Sequence, residues 1–327
     1  MATIQEVAKY AGVSVATVSR VINTPDKVKK HTQFKVENAI KELNYEPSVL
    51  GRSLRTSQSK LLLVLLPNVS NPFYAKIING IQDKAIAFGY NILLCETDSD
   101  PDREVIYFNM IKNKLADGII SMDPTVNKKK LIELSNEYPI VQCSEYTKDK
   151  TLPFVTIDSK QAAYQAVKHL IKLGHKKIGL INFDKKFLYA SERYSGYEKA
   201  LKEFNLEITD DWIYNTKHLN FESGQQAMRV LLDQIDRPSA VFAVSDVLAV
   251  GALKELHIKQ LGVPEEMALI GFDNIEFSNV VYPPLTTVAQ PMYEMGAISA
   301  QMLMSKIKGE EVESRFLEHQ LIIRETT

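Results

Sequence analysis

The sequence is poor in the residues that would fix several common architectures. Its 327 residues include two cysteines, Cys95 and Cys143, both inside apolar, strand-like stretches. A disulfide framework, a structural zinc site and a CxxC redox pair are thereby excluded. No long hydrophobic run occurs: Leu61 to Leu66, the longest purely aliphatic stretch, stops at Pro67, far short of the roughly 20 apolar residues a bilayer span needs. The first residues, MATIQEVAKYAG, lack a basic stretch followed by an apolar core, so no secretory leader is expected and the protein is expected in the cytoplasm, away from any membrane. Catalytic signatures are missing as well. There is no GxSxG elbow, no HExxH pair, no Walker loop and no GxGxxG fingerprint after a strand, and the six histidines are scattered. No catalytic residue, metal ligand or cofactor is expected, and the chain does not read as an enzyme.

Net charge is nearly absent, with 39 Lys/Arg against 40 Asp/Glu, but that balance hides an asymmetry. Residues 1–60 hold ten Lys/Arg and five acids, a net of +5, which leaves 29 basic and 35 acidic residues for the rest, a net of −6. A basic head on an acidic body points to a head that meets a polyanion.

Pattern in the head supports this. Thr3-Ile4-Gln5-Glu6 fits a capping box, and Ile4, Val7, Ala8 and Ala11 form a helical apolar stripe. Gly12 stops that helix, and Ser14 caps a second one predicted over residues 15–23, with Val18, Val21 and Ile22 inward. A third, about residues 32–43, presents Val36, Ala39, Ile40 and Leu43. Two short helices joined through a glycine turn and propped by a third are the helix-turn-helix pattern. Val15 and Ala16 open the second helix, and Arg20 lies one turn beyond Ala16. In a major groove Arg bonds guanine O6 and N7, and small apolar side chains touch thymine methyls. Thr17, Ser19 and the amides at the helix start suit phosphates; Thr3, Ser14 and Asn23 complete this set of DNA-contact candidates. From spacing alone, a three-helix protein-binding module with an ordinary surface Arg stays open.

Residues 47–60 form a short segment containing Leu50, Arg52, Leu54 and Arg55. Within it, residues 49–56 are too few for a stable isolated helix and read either as a plain linker or as a hinge helix that folds on DNA, with Leu54 as an apolar wedge in a base step and Arg55 beside it.

ATIQEVAKYAGVSVATVSRVIN followed by EPSVLGRSLRT closely resembles the headpiece and hinge of the lactose/galactose-repressor (LacI/GalR) family. LPNVSNPFYAKIINGI, DGII, GHKKIGLI, SDVLAVGAL, LIGFDN and PPLTTVAQPMYEMG match further family landmarks in order along the whole chain, most like its cytidine-repressor and catabolite-control members. The resemblance implies a helix-turn-helix headpiece (1–46), a hinge helix and linker (47–60), and an effector-binding and dimerisation domain (61–327) of two flavodoxin-like, periplasmic-binding-protein-like parallel-sheet lobes. Lobe 1 would span about 61–158 and 291–319, and lobe 2 about 159–290 and 320–327. It further implies a transcriptional repressor that binds a pseudo-palindromic double-stranded operator as a homodimer, with a tetramer as the alternative, and is switched by a small molecule between the lobes. Val15, Ala16 and Arg20 would read bases, for an operator with a central CG step and GTG-like outer arms. Control by a phosphocarrier protein is the alternative within the family; a two-lobed sugar-processing enzyme is the rival from another class.

The body itself alternates short buried-strand runs with helical stretches, the signature of parallel α/β structure. Strands are predicted at 61–66, 91–95, 118–122, 140–143, 177–181, 240–244 and 268–272. Ligands of open α/β sheets bind beyond the carboxyl ends of strands. Phe73 and Tyr74 stand at a helix entrance after the first strand and can stack on a sugar ring or base. Asp273 follows the strand ALIGF and suits vicinal hydroxyls, Arg193 is expected to open the helix RYSGYEKAL, and Ser245 ends AVFAVS. Family patterning adds Tyr189 and Leu219. Arg and Asp beside aromatics suit a neutral polyhydroxy ring, a sugar or a nucleoside.

Overall fold

The computed structural model describes residues 2–46, 58–123, 128–147 and 152–327; the predicted wedge residue Leu54 and its neighbour Arg55 lie outside them. The chain divides into two compact units, Met1–Ser59 and Lys60–Thr327.

The smaller unit comprises α1 (Ile4–Ala11), α2 (Val15–Asn23) and α3 (Lys30–Glu42), with a 3-10 turn at Pro25–Lys27. The capping box forms: the Glu6 amide donates to Thr3 Oγ1, and the Thr3 amide donates to the Glu6 carboxylate at 2.7 Å. Gly12 ends α1 at φ 66°, a left-handed conformation that side chains with a Cβ resist. Ser14 accepts the Thr17 amide as the cap of α2, which starts at the next residue, Val15. Val7, Ala8, Ala11, Val18, Val21, Val36 and Ala39 close the core, with Ile4, Ile22, Ile40 and Leu43 packed against it. α3 begins at Lys30, two residues before the predicted start.

The larger unit opens with β1 (Leu61–Leu66), α4 (Pro72–Ala87), β2 (Asn91–Glu96), α5 (Pro101–Lys112), β3 (Gly118–Ser121), α6 (Lys128–Ser135), β4 (Ile140–Cys143) and β5 (Phe154–Ile157). It continues through α7 (Ser159–Lys172), β6 (Ile178–Asn182), α8 (Leu188–Glu203), β7 (Ile213–Asn215), α9 (Phe221–Leu232), β8 (Ala240–Ala243), α10 (Asp246–Ile258) and β9 (Ala268–Asp273). α11 (Phe277–Val280), β10 (Thr286–Ala289), α12 (Met292–Ile307), β11 (Arg315–Leu317) and β12 (Gln320–Ile322) complete it. Two six-stranded sheets result, in the orders β11-β5-β4-β3-β1-β2 and β12-β10-β9-β8-β6-β7. Every pairing is parallel except β10 with β12.

The two sheets define two α/β lobes. β1 can be Leu-Leu-Leu-Val-Leu-Leu because it lies between β2 and β3 with helices on both faces, which demands apolar residues at every position. Leu62, Val64 and Leu66 join a core that includes Ile77, Ile81, Met295 and Leu303, while Leu63 and Leu65 face Phe108, Ile111 and Leu131. α4 and α12 approach so closely that a Cβ on Gly80 would stand 2.1 Å from the Tyr293 carbonyl oxygen, and one on Gly296 2.0 Å from that of Ile77. The second lobe has its own core around Phe242, Phe272, Leu248 and Tyr197. The chain passes between sheets three times, near residues 158, 290 and 319. Among the described residues, no helix is long and apolar enough to cross a membrane.

Candidate functional site

A cavity of about 590 Å³ opens between the lobes, beyond the carboxyl ends of strands from both sheets. Phe73, Tyr74, Tyr189, Arg193, Leu219, Ser245 and Asp273, scattered over 200 positions of sequence, all line it.

Its lobe 2 floor is a hydrogen-bonded network. Asp273, the last residue of β9, is 4 % exposed and accepts from Gln290 Nε2 at 2.7 Å, Ser245 Oγ at 3.0 Å and Arg193 Nη1 at 3.4 Å. Burial raises its carboxyl above the ordinary range, and Arg193 and the side-chain donors pull it back. Its φ of 116° lies where only glycine is at ease, and Asn274 follows at 58°. Such strain persists where surrounding contacts over-determine it, here to aim one carboxylate.

Arg193 departs from expectation. It does not open a helix: α8 begins at Leu188, so Arg193 stands in the second turn, which points it into the lobe rather than at solvent. It is buried, donates to the Val244 carbonyl at 2.5 Å, and stacks 3.6 Å over the Phe272 ring and 5.0 Å from Tyr189. Its Nε has no hydrogen-bond partner among the described residues. A guanidinium held flat by an aromatic ring and a carbonyl presents its remaining N–H groups without further ordering.

Aromatic rings form the walls. The Asn71 side chain caps α4 by accepting the Phe73 amide, which fixes Phe73 and Tyr74 edge to face at 5.2 Å. Phe183, Phe187 and Tyr189 line the opposite side, with Phe183 stacked 5.1 Å from Phe187 and 6.4 Å from Tyr189. Phe187 and Phe183 belong to the stretch FDKKFLYAS, and the sequence reading passed over both.

It also passed over two buried carboxylates of lobe 1. Asp123 follows β3 and accepts from Thr97 Oγ1 and Ser99 Oγ, both at 2.8 Å. Glu145 follows β4 and reaches across the cleft: its oxygens accept the Leu188 amide at 3.1 Å and the Tyr189 amide at 3.4 Å, the first turn of α8 in lobe 2. A carboxylate at a helix N-terminus satisfies otherwise orphaned N–H groups, yet burial dominates and pushes the Glu145 carboxyl up to about 8. The next residue repeats the bridge, Tyr146 donating to Glu192 at 3.3 Å. The strand-end rule that found Asp273 would have found both carboxylates. No cluster of metal-ligating side chains occurs among the described residues.

In the N-terminal unit, Val15 and Ala16 at the start of α2 and Arg20 one turn further on are all exposed, clear of the core. Ser14 shares a hydrogen bond with Thr17 at 2.9 Å, and the Asn23 amide folds back onto the Ser19 carbonyl at 2.6 Å. Thr3 is engaged by its cap.

Comparison with known proteins places this geometry. Residues 3–48 match the model of bacterial regulatory proteins of the lacI family, and residues 59–325 match that of periplasmic binding proteins and the sugar binding domain of the LacI family. The HTH-type transcriptional regulator RegA of Clostridium saccharobutylicum is 38 % identical, each chain covered in full. The HTH-type transcriptional repressor CytR of Escherichia coli K12 is 37 % identical over 100 % of this chain and 96 % of its own. A crystal structure of the lac repressor dimer bound to operator and the anti-inducer ONPF superposes with a TM-score of 0.89 at 25 % identity, covering 99 % of this chain and 98 % of that one. With headpiece and body both matched, the chain belongs to the LacI family of transcriptional regulators, with a DNA-binding domain joined to an effector-binding domain.

Proposed function

We propose that the protein is a cytoplasmic, homodimeric repressor whose hold on a pseudo-palindromic operator is set by a neutral polyhydroxy ligand, a sugar or a nucleoside, bound between the lobes. The observation that carries this reading is the Asp273 network. A buried carboxylate at the cavity's lobe 2 floor, fixed by Gln290, Ser245 and Arg193, offers the kind of charged acceptor that vicinal hydroxyls require. Phe73, Tyr74 and Tyr189 supply faces for the ring. On the DNA side, the exposed Val15, Ala16 and Arg20 support base reading, and Leu54 and Arg55 belong to the proposed hinge. Phe277, Val280 and Tyr282 of lobe 2 and Leu93 and Leu94 of lobe 1 remain exposed, apolar surface of the kind an oligomer covers.

Ligand acts by differential affinity for two arrangements of the lobes. Thermal unfolding against a panel of pentoses, hexoses and nucleosides tests the reading, because a ligand at about 100 times its Kd adds roughly 2.7 kcal/mol of stability. Asp273→Ala is expected to lose that shift while still binding operator DNA; a variant that keeps the shift refutes the assignment.

A further inference from the structure

We infer that the hydroxyls of Tyr74 and Tyr189, one from each lobe, are donors that read acceptor oxygens on the effector, so that these residues select the ring as well as stack on it. This rests on the reading of the cleft as the site of a ring ligand, and adds what the two lobes together demand of that ring.

The two tyrosines are placed alike. Each stands in the first turn of a helix that meets the cavity, Tyr74 in α4 of lobe 1 and Tyr189 in α8 of lobe 2. Each turn is tied down: Asn71 accepts the Phe73 amide at 3.0 Å, and Glu145 accepts the Tyr189 amide at 3.4 Å. Both side chains are partly exposed in the empty cleft. Neither hydroxyl has a hydrogen-bond partner among the described residues, and neither is among the partnerless polar atoms that are sealed from solvent. They face open space. The same three carboxylates, Asp123 and Glu145 of lobe 1 and Asp273 of lobe 2, act on both hydroxyls, which sets that space between the lobes.

A phenol in such company keeps its proton. Desolvation first, and then the carboxylates, raises both well above the ordinary range, with Arg193 opposing this at Tyr189. Each hydroxyl therefore holds a hydrogen that no protein acceptor takes. The nearby carboxylates are committed elsewhere, Asp273 to Gln290 and Ser245, and Glu145 to the two amides of α8. A ring that covers these hydroxyls without an oxygen to accept from them strips their water and leaves them unmatched, which is costly. A ring that meets only one lobe's hydroxyl leaves the other in that state. The full gain comes from a ligand with an acceptor oxygen for each lobe, and it is realised only in the arrangement of the lobes that brings both to the ring.

The test titrates D-ribose, D-glucose, cytidine and adenosine by calorimetry into the native protein, Tyr74→Phe and Tyr189→Phe, at fixed pH and salt. Phenylalanine keeps the ring face and removes only the hydroxyl. Whichever compound binds the native protein is expected to bind each variant about tenfold more weakly. The unfolding midpoint of each empty variant should match that of the empty native protein, because neither hydroxyl has a bond to lose. Undiminished affinity in both variants overturns the inference and leaves the stacking role standing. A loss confined to one variant overturns the reading from both lobes. A lower midpoint without ligand assigns the hydroxyl to the structure of the lobe and overturns the inference as well. Silence from all four compounds with the native protein overturns it together with the ring-ligand reading beneath it.

Discussion

Glu145 makes the bridge between the lobes sensitive to protons, and the size of that effect follows from its surroundings. Burial lifts its carboxyl from 4.5 to about 8, against the opposing pull of the Tyr189 and Leu188 amides. An acid whose folded value lies above its unfolded one holds its proton more tightly when folded. Its contribution to stability is thus fully present below about pH 4.5 and is lost as pH rises towards 8. Each unit of pH in that window is worth about 1.4 kcal/mol, so between pH 6 and pH 8 the loss is about 2 kcal/mol. For a domain of this size that corresponds to a midpoint change on the order of 5 °C. Glu145→Gln keeps the shape and an acceptor oxygen but has no proton to release. His169, His175 and His319 titrate nearby in pH with the opposite sign: burial lowers all three, so they add stability as pH rises. They are common to both proteins and cancel in the difference. Melting curves at pH 6, 7 and 8 and constant ionic strength should therefore show the variant gaining on the native protein by about 5 °C across the range. Parallel pH profiles would refute the claim that this carboxylate is buried against the α8 terminus.

Three further outcomes are expected. Arg20→Ala should reduce discrimination at one operator position by roughly 1–3 kcal/mol, measured by competition among singly substituted operators; an unchanged ranking removes Arg20 from base reading. Gly80→Ala places a methyl 2.1 Å from the Tyr293 carbonyl, forcing α4 and α12 apart, and should destabilise the body by about 3 kcal/mol, read as a lower unfolding midpoint. Thr3→Ala removes the α1 cap and should cost that helix about 1 kcal/mol, visible as faster amide exchange at Val7 and Ala8 with the body unaffected.

Where local pattern dictates structure, the sequence was legible. β1 has its predicted bounds because its aliphatic run is cut by Pro67, and the predicted bounds of β4 and α2 are those observed. β5, β7, β10, β11 and β12 escaped notice because their stabilising partners are remote. Thr287 of β10 donates to Asp246 at 2.6 Å, and the Thr286 hydroxyl accepts the Arg324 amide and shares a hydrogen bond with the Thr327 hydroxyl. A buried threonine in a four-residue strand carries no periodicity to detect. The pocket divides the same way. Asp273 and Ser245 were found because they end strands, whereas Arg193 was misplaced because the start of α8 at Leu188 has no side-chain cap to announce it. Glu145 stands two residues past β4, within reach of the same rule, but its partners, two backbone amides, have no identity in sequence.

The three passages of the chain between lobes set an order on how the molecule can be completed during synthesis. β5 ends at residue 157, yet the strand that pairs with it, β11, ends at residue 317, and the helix covering Ile77 and Ile81, α12, ends at residue 307. At roughly 5–20 residues per second, the 160 residues between β5 and β11 take about 8–30 s to emerge. Throughout that interval the first lobe has an unpaired strand edge and one uncovered apolar face, while nearly all of the second lobe is made. The lobe begun first is finished last, and its open edge in the nascent chain is where misassociation with another copy would start.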